Sequence, residues 1–200
     1  MKVKICGLAI IMTLWMRQIW ELIFCGFHFI KDSSRKVSEK LVSDIVSKLH
    51  PFVAPIAVFS GQDEKAVSKI IKKCSIKNIR FNGNEVPEFC KFVRDRQSVK
   101  IFKFFKLDNE TDILKLTAYT ESVDYFVLDV SYSDVEIAKF NHTLISKAGE
   151  LKIPFFVSLS ASADAKNIES FLKEVTPYGF NADSSIERSP KRKDYDIIMI

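Results

Sequence analysis

Glycine is scarce in this chain, with only six glycines among 200 residues. The turn that binds dinucleotide phosphates in an open, doubly wound sheet usually has two or three glycines after the first strand, and here only Gly7 follows Cys6. The four cysteines include no Cys-x-x-Cys pair, and the three histidines are far apart in sequence. These absences argue against a dinucleotide-binding fold, a disulfide-stapled scaffold and a metal site.

Charges of both signs are spread along the sequence, so no face of the protein is obviously single-signed. The 30 basic and 25 acidic residues give a net charge of +5, and the two signs are interspersed. A nucleic-acid-binding surface needs clustered lysine and arginine beside stacking aromatic side chains. We therefore expect no nucleic-acid partner.

The apolar run from Ile5 to Met16 imitates part of a signal peptide. Arg17 and Glu21 interrupt it before it could span a bilayer, and no small-residue cleavage site follows. We expect no membrane partner, a cytoplasmic location and reduced cysteines.

The rest of the chain alternates short β-branched or aromatic runs with longer stretches of helical spacing. This pattern is typical of β-α units around a parallel sheet. The strand candidates are Val3 to Cys6, Gly26 to Ile30, Ala54 to Ser60, Ile76 to Phe81, Val99 to Phe104, Tyr125 to Val130, Phe155 to Leu159 and Gly179 to Asp183. Eight units of about 25 residues predict a small (β/α)8 TIM barrel, with residues 1–200 forming one domain; the open doubly wound sheet is the alternative.

A stretch of helical spacing follows each strand candidate. The helix candidates are Ile10 to Phe24, Ser38 to Leu49, Asp63 to Lys73, Pro87 to Arg94, Thr111 to Thr120, Asn141 to Ala148, Ala165 to Val175 and Asp194 to Ile200. Ser38, Asp63 and Thr111 are predicted to cap helices, and Pro87 suits a first turn.

In such barrels the chemistry occurs at the carboxyl ends of the strands. Cys6, Arg35 and Asp129 are predicted to lie there. A cysteine at a strand end is most often a small buried apolar residue, and an aspartate there often caps a helix, so position alone leaves their roles open.

Short motifs along nearly the whole chain resemble the phosphoribosylanthranilate isomerase family in order and spacing. They are Lys4-Ile5-Cys6-Gly7-Leu8, Gly26-Phe27-His28-Phe29, Ser33-Ser34-Arg35-Lys36-Val37-Ser38, Asn82-Gly83, Pro87-Glu88-Phe89-Cys90, Asp124-Tyr125-Phe126-Val127-Leu128-Asp129, Pro154-Phe155-Phe156 and Ile186-Glu187. The resemblance implies a TIM barrel that catalyses an Amadori rearrangement, from aldose to ketose, in tryptophan biosynthesis. It also implies a small phosphorylated substrate, no cofactor, no metal, and a monomer or homodimer.

The same resemblance implies the roles of three residues. Cys6 is the expected general base, and Asp129 is the expected general acid with a carboxyl pKa raised by apolar neighbours. Arg35 is expected to hold the anthranilate carboxylate, which suits its planar, permanently charged fork.

The resemblance also implies that the family binds the substrate phosphate through glycine-rich turns. This sequence lacks those glycines. Ser158-Leu159-Ser160-Ala161 replaces Ala-Gly-Gly-Leu, and Asp183-Ser184-Ser185 replaces Ser-Ser-Gly. The hydroxyl groups of Ser158, Ser160, Ser184 and Ser185 are the candidate substitutes for the lost backbone contacts. Two hypotheses therefore stand: a working isomerase, or a degenerate barrel of the same family with weakened phosphate binding or a changed substrate.

Overall fold

Eight parallel strands close into a barrel in the computed structural model, which describes residues 2–6, 22–130, 135–159, 175–182, 187–189 and 192–193. The strands are β1 (Lys2–Cys6), β2 (Leu22–His28), β3 (Ala54–Phe59), β4 (Asn78–Phe81), β5 (Lys100–Lys106), β6 (Tyr125–Val130), β7 (Phe155–Leu159) and β8 (Gly179–Ala182). Each strand pairs with its successor in the chain, and β8 pairs with β1. The prediction of a (β/α)8 barrel is confirmed, and the open sheet is excluded because no edge strand is left.

Helices cover the outside of the barrel. They are α1 (Glu39–Val46), α2 (Glu64–Lys73), α3 (Pro87–Gln97), α4 (Glu110–Thr117) and α5 (Val135–Gly149). Ser38 and Asp63 accept hydrogen bonds from Leu41 and Ala66 and so cap α1 and α2 as predicted. Pro87 begins α3, where its missing N–H costs nothing.

The predicted cap at Thr111 is wrong. Asn109 caps α4, and its side chain accepts from the backbone N–H of Thr111. The backbone N–H of Asn109 in turn donates to the Asp112 carboxylate, so the two residues form a capping box.

Two predicted helix boundaries also differ from the structure. The helix predicted for Ile10 to Phe24 overlaps β2, which begins at Leu22, while residues 7–21 lie outside the described part. Residues 10–25 contain no Gly, Pro, Asn or Asp, so the sequence offered no turn residue to mark where the predicted helix should end. Helix α5 begins at Val135, six residues earlier than predicted. The helix predicted from Asp194 to Ile200, and all but the last residue of the one from Ala165 to Val175, fall on residues that are not described.

The barrel interior is apolar toward the amino ends of the strands. Phe24, Phe102, Tyr125 and Phe156 project into it, with ring centroids 4.5 Å apart for Phe102 and Tyr125 and 5.2 Å for Phe24 and Phe102. Large rings fill the space that a barrel of eight strands encloses. The polar groups are left for the opposite, carboxyl end.

Near the carboxyl terminus, β9 (Glu187–Ser189) and β10 (Arg192–Lys193) form a short antiparallel pair that the sequence did not predict. Among the described residues, no helix has the length and apolar composition needed to cross a membrane.

Candidate active site

A row of polar residues runs around the inside of the barrel from β5 to β1. The strand register places Lys106 beside Asp129, Asp129 beside Ser158, Ser158 beside Asn181, and Asn181 beside Lys4. Residues in register on neighbouring strands face the same side of a sheet. The candidate acid Asp129 and the candidate ligand Ser158 are therefore neighbours, and the row leads to the strand that carries Cys6.

Two cationic side chains surround the sulfur of Cys6. The Lys4 ammonium and the Arg80 guanidinium both donate hydrogen bonds to Sγ, and the Arg80 Nη1–Sγ distance is 3.2 Å. Asn181 Oδ1 accepts from both cations, at 2.6 Å from Lys4 Nζ and 3.3 Å from Arg80 Nη1. All four residues are buried. The barrel thus encloses a compact cationic site with one ionisable sulfur at its centre.

Those cations favour the thiolate form of Cys6. A unit charge 3.2 Å from the sulfur is worth about 5 kcal/mol at an effective dielectric constant of about 20, which opposes the cost of burying the thiolate. Cys25 shows the effect of burial on a neighbouring thiol: burial, reinforced by the charge on Cys6, raises its pKa well above the usual value, against a smaller opposing effect of Lys4. A buried cysteine without close cations stays protonated, whereas two cations at Cys6 oppose the cost of ionising its sulfur.

Gly26 makes room for the Cys6 side chain. It lies in register with Cys6 on β2, and a Cβ atom built on Gly26 would overlap Sγ. The glycine is needed here for close approach and not for an unusual backbone angle.

Arg80 and Asn181 are two residues of the candidate site that the sequence did not predict, and Arg80 is the more informative of them. It is held by Nε, which donates to Asn82 Oδ1 at 2.7 Å, and its guanidinium lies 5.0 Å from the centre of the Phe104 ring. The available signal was an arginine between Ile79 and Phe81 in a short strand, where an apolar residue is expected. A charged side chain is buried at such a position only when other groups hydrogen-bond to it or balance its charge.

Ser158 lies within the barrel wall and not in a loop. It is 6% exposed, and its Oγ accepts a hydrogen bond from Asn181 Nδ2 at 2.9 Å. That bond fixes the amide so that its oxygen faces Lys4. The phosphate-binding role of Ser158 stays a prediction, as does that of Ser160, Ser184 and Ser185, which lie outside the described residues.

Asp129 lies at the carboxyl end of β6 and is half-buried. Val127, two residues earlier on the same face, belongs to the apolar interior. Lys106 faces Asp129 across the strand pair, and its pKa is raised mainly by a hydrogen bond to Asp108, with a smaller contribution from Asp129. The surroundings of this carboxyl group are therefore mixed, and not wholly apolar as the sequence suggested.

Arg35 is half-buried in the turn after β2, at the same end of the barrel as Cys6. Its backbone N–H donates to Ser33 Oγ at 3.1 Å, and the Val37 N–H donates to His28 O at 2.9 Å. These bonds tie the turn to the end of β2. In the part of the chain that the structure describes, no group of three His, Cys, Asp or Glu side chains could hold a metal ion.

A (β/α)8 barrel with a cation-stabilised cysteine and an inward-facing aspartate at the carboxyl ends of its strands defines a barrel enzyme that transfers protons. Comparison with known families agrees with this class. Residues 3–199 match the model of the family described as N-(5'-phosphoribosyl)anthranilate (PRA) isomerase. The chain belongs to this family, and it is an isomerase of tryptophan biosynthesis.

Individual relatives are distant but cover the chain. An N-(5'-phosphoribosyl)anthranilate isomerase from Pelobacter propionicus is 26% identical over 196 residues, which span 96% of this chain and 90% of that protein. A phosphoribosylanthranilate isomerase solved with reduced 1-(o-carboxyphenylamino)-1-deoxyribulose 5-phosphate superposes with a TM-score of 0.83 at 23% identity, covering 98% and 93%. Monomers of the dimeric phosphoribosylanthranilate isomerase from Thermotoga maritima give 0.78 at 23% identity, with the same coverage. At these identities, the solved structures support the fold.

Proposed function

We propose that this chain isomerises N-(5'-phosphoribosyl)anthranilate with Cys6 as the general base and Asp129 as the general acid. The observation that carries the proposal is the position of the Cys6 sulfur between Lys4 and Arg80 at the inner end of a barrel mouth. A cysteine needs a substantial thiolate fraction to remove a proton from carbon. The two cations supply the electrostatic means of maintaining it.

The reaction uses each residue once. The protonated carboxyl group of Asp129 donates to the ribose ring oxygen, and the bond from that oxygen to C1 breaks to give an iminium ion. The Cys6 thiolate then removes the proton on C2, and the C–H electron pair forms a C1–C2 double bond while the nitrogen becomes neutral. The enol at C2 then loses its O–H proton while C1 takes up a proton, so the C1–C2 double bond is replaced by the C2 ketone. Proton exchange with solvent returns Cys6 to the thiolate and Asp129 to its protonated form.

Asp129 and Cys6 belong to strands three apart around the closed barrel. Ser158 and Asn181 lie between them in the polar row, and the Asn181 amide bonds both Ser158 Oγ and the Lys4 ammonium. A sugar at the mouth can therefore meet the acid on one side and the base on the other. This arrangement supports transfer of two protons at two different atoms of one substrate.

The remaining parts of the proposal concern binding. Arg35 holds the anthranilate carboxylate, and the hydroxyl groups of Ser158, Ser160, Ser184 and Ser185 contact the phosphate. We further propose that residues 1–200 form one domain, that the protein acts in the cytoplasm, and that it is a monomer or a homodimer.

A second candidate function is favoured by Leu159 and Asp183. These residues add bulk and negative charge where the family has glycine and serine, so a barrel with weak phosphate binding or a changed substrate remains the competing hypothesis. A carboxylate about 4 Å from a phosphate charge costs about 1 to 4 kcal/mol, or tenfold and more in affinity. A high KM with an ordinary kcat would be its kinetic sign.

The test is a turnover assay that follows anthranilate fluorescence on the purified full chain. We expect turnover by the wild type and losses of at least about 100-fold in kcat for Cys6→Ala and Asp129→Asn. His50→Ala is the matched control, since that side chain is exposed at the opposite end of the barrel. Wild-type turnover no higher than that of the two site variants would contradict the proposal.

A further inference from the structure

His28, the last residue of β2, is a buried histidine without a polar partner. The residue is 4% exposed, and neither ring nitrogen has a hydrogen-bond partner among the residues that the structure describes. Burying such a group is costly unless a partner completes its hydrogen bonds. The chain thus keeps a polar side chain where phenylalanine or leucine would pack at lower cost.

The His28 side chain faces the barrel interior, on the same side as Cys6. Gly26 is two residues earlier on β2, and its missing side chain would point at Cys6 Sγ. Side chains two apart on a strand share a face, so His28 faces inward about 7 Å nearer the mouth. Its register partner on β3 is Val58, which belongs to the same interior cluster as Cys6.

The backbone of His28 also holds the turn that carries Arg35. His28 forms a bridge with Lys36, and its carbonyl accepts from the Val37 N–H at 2.9 Å. His28 therefore lies between the proposed base and the proposed carboxylate ligand. Strand β8 lies on the other side of β1 from β2.

We propose that His28 is a substrate-binding residue whose imidazole hydrogen-bonds a sugar hydroxyl next to the carbon that Cys6 deprotonates; this rests on the proposed function. A neutral imidazole offers one donor and one acceptor, and a hydroxyl group can satisfy either. The carboxylate of the substrate only accepts hydrogen bonds, and Arg35 is already the proposed ligand for it. A sugar hydroxyl is therefore the better partner for His28. The substrate then extends from Cys6 past His28 to Arg35.

The test compares His28→Phe with His28→Gln. Phenylalanine fills a similar volume without hydrogen-bonding groups, so His28→Phe should unfold at the wild-type temperature or above, because a buried unpaired polar group has been removed. Its kcat/KM should fall by about 10- to 100-fold. Glutamine keeps a donor and an acceptor, and it should recover part of that loss.

His50→Phe is the matched control, because it makes the same change at an exposed histidine at the other end of the barrel. It should leave kcat/KM unchanged. Wild-type kcat/KM in His28→Phe would overturn the inference, since a residue that only packs tolerates this replacement. A parallel loss of kcat/KM and thermal stability, not relieved in His28→Gln, would also overturn it.

Binding of reduced 1-(o-carboxyphenylamino)-1-deoxyribulose 5-phosphate, measured by calorimetry, separates this inference from the proposed function. If the wild type binds this compound without turning over substrate, and His28→Phe binds it at least tenfold more weakly, the binding role stands and the isomerase proposal fails. If the wild type turns over substrate and His28→Phe does so equally well, only the role of His28 fails. If the wild type neither binds nor reacts, both fail.

Discussion

The guanidinium of Arg80 donates a hydrogen bond to the sulfur of Cys6 across 3.2 Å, although 74 residues separate them in sequence. In the proposed function Arg80 is a positioning residue, because its guanidinium contacts the proposed base and not the substrate. We expect Arg80→Met to move the acid limb of the kcat/KM profile to higher pH by about 1 to 3 units, since a lost cation makes the thiol harder to ionise.

Arg80→Lys is the control for that prediction, because lysine keeps the positive charge but lacks the planar guanidinium with its several N–H donors. Its acid limb should lie between those of the wild type and Arg80→Met. The measurement is a set of initial rates from about pH 5 to 9 on protein that has been checked for native circular dichroism. A uniform loss of kcat/KM at every pH, without a shift of the acid limb, would mean that Arg80 contributes only to packing.

The four cysteines should differ in their reactivity toward iodoacetamide. Burial raises the pKa of Cys90 to about 12, with a smaller opposing effect of Lys103, and burial raises the pKa of Cys25 and Cys74 as well. A raised pKa leaves these three groups as unreactive thiols near pH 8. Cys6, between its two cations, should react first and be protected by substrate. Peptide mass spectrometry over time checks the order, and earlier labelling of Cys74 would contradict it.

Gly26→Ala should displace the reacting sulfur. The new methyl group would overlap Cys6 Sγ, so the thiolate must move away from its cations or from the substrate. We expect kcat to fall by about 100-fold, since a shift of about 1 Å in a reacting group can cost that much. Gly149→Ala is the control: its Cβ would approach Phe155 only to an ordinary 3.8 Å, so activity should be unchanged. Full activity in Gly26→Ala would show that the sulfur is not confined.

Most strands of the barrel could be predicted from the sequence because they are short β-branched or aromatic runs between turn residues. The prediction failed at Leu22, where β2 begins without a turn residue before it. It failed again at Thr111, because Asn109 and Thr111 are both good caps and the choice depends on the reciprocal bond that the Asn109 N–H donates to Asp112. Local residue preferences do not locate the start of β2 or the cap of α4, whereas the packing of the barrel does.

The surroundings of the candidate site could be predicted only in part, and for a physical reason. The motifs at strand ends predicted Cys6 and Asp129 as site residues, and their roles stay predictions. Arg80 and Asn181 act on Cys6 from β4 and β8, and only closure of the barrel brings these strands to the same interior. His28 lay within a quoted motif, but its lack of partners becomes visible only when its surroundings are known.

A buried ion pair between Lys103 and Glu85 should stabilise the loop between β4 and α3. The two side chains are 2% and 4% exposed and their charged atoms are 3.1 Å apart; Glu85 Oε1 also accepts from the Gly61 N–H at 2.8 Å. Glu85→Ala leaves the Lys103 ammonium buried without its carboxylate, so we expect a loss of about 3 to 5 kcal/mol in the free energy of unfolding. Urea denaturation measures this loss.

Two further variants make that prediction specific. Lys147→Ala removes one member of an exposed ion pair with Glu110, and it should cost less than about 1 kcal/mol. The double variant Glu85→Ala with Lys103→Met removes both buried charges, so it should be more stable than Glu85→Ala alone. If Glu85→Ala costs no more than Lys147→Ala, the buried pair does not hold the loop. If the double variant is no more stable than Glu85→Ala, the lost free energy of unfolding comes from the hydrogen bond between Gly61 and Glu85. It does not then come from leaving the Lys103 ammonium buried without its carboxylate.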